Sequence, residues 1–174
     1  MNDSILDTMN KLKEIKNSDI NQYSLDGMTM HGKVVDIYDG DTCKIVLLND
    51  NKLQKFNCRL SGLDTPEMKP SLKKANRDKE IIHAKQCRNR LIQLVTNCEC
   101  DILNSSITKK NVKKLLEMNS KIITIKCGEF DKYGRLLVRL YSDETTEEEV
   151  NQILINEGFA KVYDGGSKSV FIYE

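Results

Sequence analysis

The sequence predicts an α+β fold that is mainly β, a five-stranded Greek-key barrel with flanking α-helices. Three observations point to it. Five segments of strand length alternate apolar with polar residues. The first three are joined only by short turn signals. Helical spacing of apolar residues sets in after the third and returns later in the chain. At 174 residues there is enough chain for one ordinary domain with a real core, and too little for two comfortable ones.

The elements follow in order. Ile5, Met9, Leu12 and Ile15 recur at helical spacing over residues 4–16, with Ser4 placed to cap. The spacing predicts a short amphipathic helix that packs on the barrel, followed by a polar linker to about Met28. Residues 1–29 thus read as an N-terminal extension, and 30–174 as the barrel domain. "HGKVVDIY", "TCKIVLL" and "KLQKFNCRLSGL" form a three-stranded antiparallel meander turned at "DGD" and "NDN". "LDTPEMKPS" breaks the pattern, because each proline pushes the residue before it into extended conformation.

From Ser71 to Asn97 the pattern is helical, with Ala84, Cys87, Leu91, Leu94 and Val95 on one stripe and a basic outer face opposite. "KKNVKKLLEMN" predicts a second short helix, and "KIITIKCGEF" and "RLLVRLY" two strands around the turn "DKYG". Thr146 and Glu149 form a capping box for a last helix ending at Gly158. Five strands with a helix after the third suit a partly open barrel of the OB type.

Composition narrows the function classes. Net charge is +1, so no global attraction to polyanions is indicated. Basic residues do cluster, at Lys69, Lys73, Lys74, Arg77, Lys79, Lys85, Arg88 and Arg90, and again at Lys109, Lys110, Lys113 and Lys114. The plain reading of these runs is solvated helix faces. Six cysteines are scattered without a C-x-x-C pair, and His31 and His83 stand far apart, so a zinc site is poorly supported. The cysteines read as small core hydrophobes and the histidines as structural or solvent-exposed. The N-terminus lacks the apolar stretch of a secretory signal, and no apolar run reaches the ~20 residues that span a bilayer. The expectation is an intracellular protein with reduced thiols and no membrane contact.

Chemistry concentrates in "DGDT" at 39–42, "CRLSGLDTPE" at 58–67 and "DKYGR" at 131–135. Each alone fits a turn. Together they supply Asp41, Asp64 and Glu67 with Arg59 and Arg135. Asp39 and Gly40 mostly shape the hairpin, while Asp41 is read as a metal ligand. Carboxylates on adjacent strand and loop ends suit a hard divalent cation, calcium or magnesium rather than zinc. Two of them, Asp41 and Asp64, completed by a backbone carbonyl and waters, suit flexible calcium coordination. Glu67 is spaced to act as general base on a water, and two guanidinium forks match the oxygens of a phosphodiester.

The ordered set "DGDT", "RLSGLDTPE", "DKYGR" and "INEGFAKVYDGG" resembles the staphylococcal nuclease family, from about Val34 to Tyr163. The resemblance implies a calcium-dependent nuclease acting on DNA or RNA with little sequence preference, on single-stranded or frayed substrate, and leaving 3′-phosphate ends. It implies that Asp41 and Asp64 ligate Ca2+ with the main-chain carbonyl of Thr65, that Glu67 activates water, and that Arg59 and Arg135 grip the scissile phosphate. It also implies that Lys132 and Tyr133 contact a neighbouring phosphate. Tyr163 falls where the family places base-stacking rings, and a buried tyrosine closing the barrel fits the position equally well. Two departures stand out. An insertion of about twenty residues occupies roughly 99–119, and the tail after Lys161 is too short for the family's final helix. The alternative reading is a non-catalytic binding module on the same barrel, for nucleic acid or protein. Three converging carboxylates would repel phosphate unless a cation lay between them, which favours the enzyme.

Overall fold

The computed structural model describes residues 3–142, 148–166 and 171–172. Five strands close into a barrel: β1 (Thr29–Ile37), β2 (Thr42–Asn49), β3 (Lys52–Leu60), β5 (Ile123–Phe130) and β6 (Leu136–Tyr141). They run in the order β1-β2-β3-β6-β5, so the barrel is fully closed rather than partly open. Two pairings outside the meander close it. β3 runs parallel to β6 (Cys58 opposite Leu136), and β1 antiparallel to β5 (Met30 opposite Ile125). Pairing every edge leaves none exposed to another chain.

Period-two burial shows why these segments are strands. Cys43, Ile45 and Leu47 of β2 and Leu136, Val138 and Leu140 of β6 all point into the core. The β2–β3 hairpin turns at Asp50 and Asn51, both at positive φ (49° and 59°), a conformation that Asp and Asn tolerate and a tight hairpin requires. Breaks in register at Val34/Asp36 and at Cys127/Phe130 bend β1 and β5.

Four helices flank the barrel. α1 (Asp3–Glu14) forms near where the spacing predicts, but Ser4 lies inside the helix rather than at its cap position, and the helix does not bury its stripe. Ile5, Met9 and Leu12 are 53%, 46% and 65% exposed, so the expected packing on the barrel is not seen. Leu25, in the stretch read as a linker, is instead part of the core, and Gly27 and Met28 bond Cys127 through their backbones. α2 (Arg77–Val95) starts six residues later than the spacing suggests, after Asn76 in left-handed conformation. The two prolines and the segment "SLKKAN" hold the preceding chain out of the helix.

α3 (Lys109–Met118) lies in the insertion and packs on β1 through buried Val112 and Leu116. The insertion is closed at its base by the bridge between Thr96 and Ser120. It is held from within by Asn89, fully buried, whose Nδ2 donates to the carbonyls of Ile102 (3.1 Å) and Asn104 (2.9 Å). Arg88 was expected on the basic outer face but is buried, and it donates to the carbonyl of Ile107 at 2.9 Å. The orphan carbonyls of a long insertion need donors, and these two side chains provide them.

α4 (Val150–Asn156) has Glu149 at its N-cap without a side-chain capping bond, so the helix begins later than the expected Thr146/Glu149 box would place it; Thr146 lies outside the described residues. Asn151, on α4 and buried, donates to the carbonyls of Ser61 (2.8 Å) and Val138 (3.1 Å) and accepts from the Leu140 amide (3.2 Å). Asn151→Leu should therefore cost about 2 kcal/mol, since the Leu140 amide and the Ser61 carbonyl lose this partner while the Val138 carbonyl keeps the Ser61 amide (2.9 Å). Denaturant unfolding checks this, and a loss below about 1 kcal/mol would mean that water replaces the amide.

Two residues each of β4 (Leu63–Asp64) and β7 (Lys161–Val162) form a separate small ladder. Neither has a sequence signal, because two-residue strands show no period. Among the described residues, no helix is long and apolar enough to cross a membrane.

Candidate active site

The "DGDT" turn joins β1 to β2 and is closed by the Tyr38 amide donating to the Thr42 carbonyl (2.9 Å). A Cβ at Gly40 would sit 2.1 Å from Cys87 Sγ and 2.9 Å from Thr65 Cγ2, so only glycine lets the turn lie against α2. Asp39 Oδ1 accepts from the Asp41 amide (3.3 Å), and the Asp41 carbonyl accepts from the Leu60 amide (2.8 Å). Asp41 is thereby tied to the end of β3.

Arg59 sits on β3 directly opposite Thr42. That register carries its guanidinium to Asp41 Oδ2, 2.7 Å from Nη1, while Nη2 lies 3.3 Å from Asp64 Oδ1 and 3.4 Å from the Leu63 carbonyl. The β4–β7 ladder fixes Asp64, and Tyr163, just past β7, bonds the Gly62 carbonyl through its amide (3.0 Å). Three separate stretches of chain thus meet at one guanidinium.

The "DKYGR" turn joins β5 to β6. Asp131 accepts from the Tyr133 and Arg135 amides at Oδ1 (both 2.9 Å) and from Arg135 Nε at Oδ2 (2.7 Å). Gly134 takes the positive φ (75°) that the turn needs. Lys132 and Tyr133 stand exposed at its tip, with both cations, Lys132 and Arg135, near the Tyr133 ring (5.2 and 5.4 Å).

These elements enclose a cleft of about 660 Å³ lined by Tyr38, Asp39, Asp41, Thr42, Arg59, Thr65, Glu67, Asp131, Lys132, Tyr133, Arg135, Leu137, Tyr163 and Gly165. Nearly every residue singled out from the sequence therefore falls at one rim. Asp64 lies just beneath it, 3% exposed and joined through Arg59. Tyr163 is half-buried in the cleft wall, not sealed inside the barrel.

The charges explain one another. Burial pulls the Arg59 guanidinium down, but Asp41 and Asp64 outweigh it and the net shift is upward. Burial and then the charge of Asp41 push the Asp39 carboxyl up to about 7. Burial, Asp39 and Glu67 push the Tyr38 phenol up. Acidic charge is thus crowded enough at this rim to shift its neighbours. The core thiols are pushed up as well by burial, Cys58 to about 12, as expected of inert packing groups.

Burial pushes Asp131 up, but the hydrogen bonds from Arg135 and Tyr133 outweigh it and hold the carboxyl below its ordinary 3.8. With its folded value depressed, Asp131 stabilises the fold above that ordinary pKa, and the contribution is lost as pH falls through the folded value. Asp131→Asn should flatten the loss of stability below about pH 4, read from thermal midpoints across pH. An unchanged acid limb would remove Asp131 as a cause.

Sequence reasoning missed Tyr38 and Asp131 as cleft residues and treated Asp39 as a shaper of the turn. The only sequence signal for Asp131 was its place four residues before Arg135, at the mouth of a glycine turn.

A closed five-stranded barrel with acids and arginines gathered at one rim defines a domain of the OB type. Residues 57–171, more than half of the chain, match the family model described as staphylococcal nuclease homologue. The chain belongs to the staphylococcal nuclease homologue family. The matched stretch starts after the "DGDT" turn, so Asp41 joins the site through its contact with Arg59 rather than through the family match. No curated protein matches significantly.

Proposed function

We propose that this protein is a calcium-dependent phosphodiesterase that hydrolyses DNA or RNA. One observation carries the reading: Arg59 joins Asp41 and Asp64 at the floor of a cleft that Glu67, Arg135, Lys132 and Tyr133 also line. Among the described residues, no three His, Cys, Asp or Glu side chains are spaced to cage an ion by themselves. The fit is therefore two hard carboxylates, Asp41 and Asp64, with backbone oxygen at Thr65 and water completing the shell. Bound there, calcium would take over the charge that Arg59 now balances and polarise a phosphoryl oxygen.

The remaining work belongs to side chains of the chain. Arg59, freed of its carboxylates, and Arg135, whose Nε edge Asp131 already holds, donate to the non-bridging oxygens of the phosphodiester. Glu67, exposed at the cleft, removes a proton from the attacking water. The water oxygen bonds to phosphorus as the bond to the 5′ oxygen breaks, and that oxygen takes a proton from solvent, leaving a 3′-phosphate and a 5′-hydroxyl. Lys132 and Tyr133 hold the next phosphate, and the Tyr163 ring offers a face for a base.

The test is incubation of purified protein with single- and double-stranded DNA and RNA, with calcium and then with a chelator, followed by end-group analysis. Calcium-dependent cleavage to 3′-phosphates is the expected result. Folded protein that cleaves none of these substrates overturns the reading.

A further inference from the structure

Besides Arg88 and Asn89, which serve the insertion, α2 buries a third polar residue that helical packing does not call for. Glu80 lies on the same stripe as Ala84, Cys87 and Leu91 and is 1% exposed. A carboxylate there costs several kcal/mol unless it is paired, and an apolar side chain of similar volume would serve the core at least as well. What Glu80 does instead is hold the chain between β4 and α2. Its Oε1 accepts from the backbone amide of Glu67 (3.3 Å), and its Oε2 pairs with Lys74 Nζ (2.6 Å), close but off hydrogen-bond alignment. One arm of that loop is clasped at its start and the other near its end. Buried Pro70 stiffens the chain between them, and buried Pro66 stiffens it just before Glu67.

We propose that Glu80 is the positioning residue for Glu67. By accepting the backbone amide of Glu67, it fixes the Cα from which that side chain projects into the cleft. The claim rests on the reading of Glu67 as general base, and it extends that reading to a residue outside the cleft. A misplacement of about 1 Å at a reacting group can cost on the order of 10²-fold in rate, so the clasp matters to turnover more than to substrate affinity.

The experiment compares Glu80→Gln and Glu80→Met in the full chain. Gln keeps an oxygen for the Glu67 amide. Met fills the stripe without an acceptor and should leave stability near the wild type. In Glu80→Met, kcat should fall about 10- to 100-fold with KM within about twofold, and the Glu67 amide should exchange its hydrogen at least about tenfold faster. Glu80→Gln should restore both to near the wild type. Wild-type kcat and exchange in Glu80→Met would overturn the proposal, as would equal kcat losses in both variants that follow their loss of stability. Should Glu80→Met fail to fold, Glu80→Leu removes the acceptor with another apolar side chain and is read by the same exchange at Glu67, with unchanged protection counting against the proposal. Exchange also separates the two ideas. If the wild type cleaves nothing while Glu80→Met still frees the Glu67 amide, the nuclease reading fails and the clasp stands.

Discussion

Arg59→Ala is expected to destabilise the ligand-free protein by about 3 kcal/mol, a fall of roughly 6–12 °C in thermal midpoint for a chain of this size. Arg59 is the shared countercharge of Asp41 and Asp64, at 2.7 and 3.3 Å, and both carboxylates are 3% exposed. Removing it leaves two buried anions side by side with Asp39 adjacent. Breaking a buried pair costs more than the pair contributes, because the surviving charge is stranded. Calcium should therefore raise the midpoint of the variant more than that of the wild type, since in the wild type an ion must compete with the guanidinium. Arg59→Lys should recover little of the loss, because one ammonium cannot fork between two carboxylates. Thermal unfolding in chelator and in calcium reads all of this. A variant as stable as the wild type in chelator would show that the bridge carries no weight.

Glu67→Gln is expected to lower kcat by about 10²- to 10⁴-fold while leaving the fold and the calcium response intact. Glu67 is exposed, and its tie to Glu80 runs through the backbone amide, which glutamine retains. Asp41 and Asp64 are untouched, so a calcium-induced rise in midpoint should persist. Arg135→Ala provides the contrast, with a loss of about 10²- to 10³-fold from the missing donor to the developing negative charge. It also releases Asp131 from its ion pair. A Glu67→Gln enzyme that turns over like the wild type would assign the proton to another group, with no damage to the metal prediction.

Much of the site was legible because its chemistry sits in short contiguous runs. "DGDT", "DTPE" and "DKYGR" each specify a turn from local residue preferences, and the turns are where barrels present functional side chains. Asp41, Glu67 and Arg135 were visible in this way, and the cleft contains all three. Glu80 was not. The helical stripe could be read from Ala84 onward, but a Glu four residues earlier looks like any acid in the first turn of a helix. Its burial depends on a loop folding back over it. Arg88 was misread for the same reason: it sits in a basic run, and only the insertion that covers it turns it inward.

The sequence by itself determined the strands of the barrel, the two helices α2 and α3, and the residue types of the site, because period and turn chemistry are local properties of the chain. Tertiary structure alone decided that the barrel closes through a parallel β3–β6 pairing, that the stripe of α1 stays exposed, and that Arg59 faces both Asp41 and Asp64. Those outcomes depend on which distant segments share a register and on how far burial raises the cost of an unpaired charge. Neither quantity is written in any local run of residues.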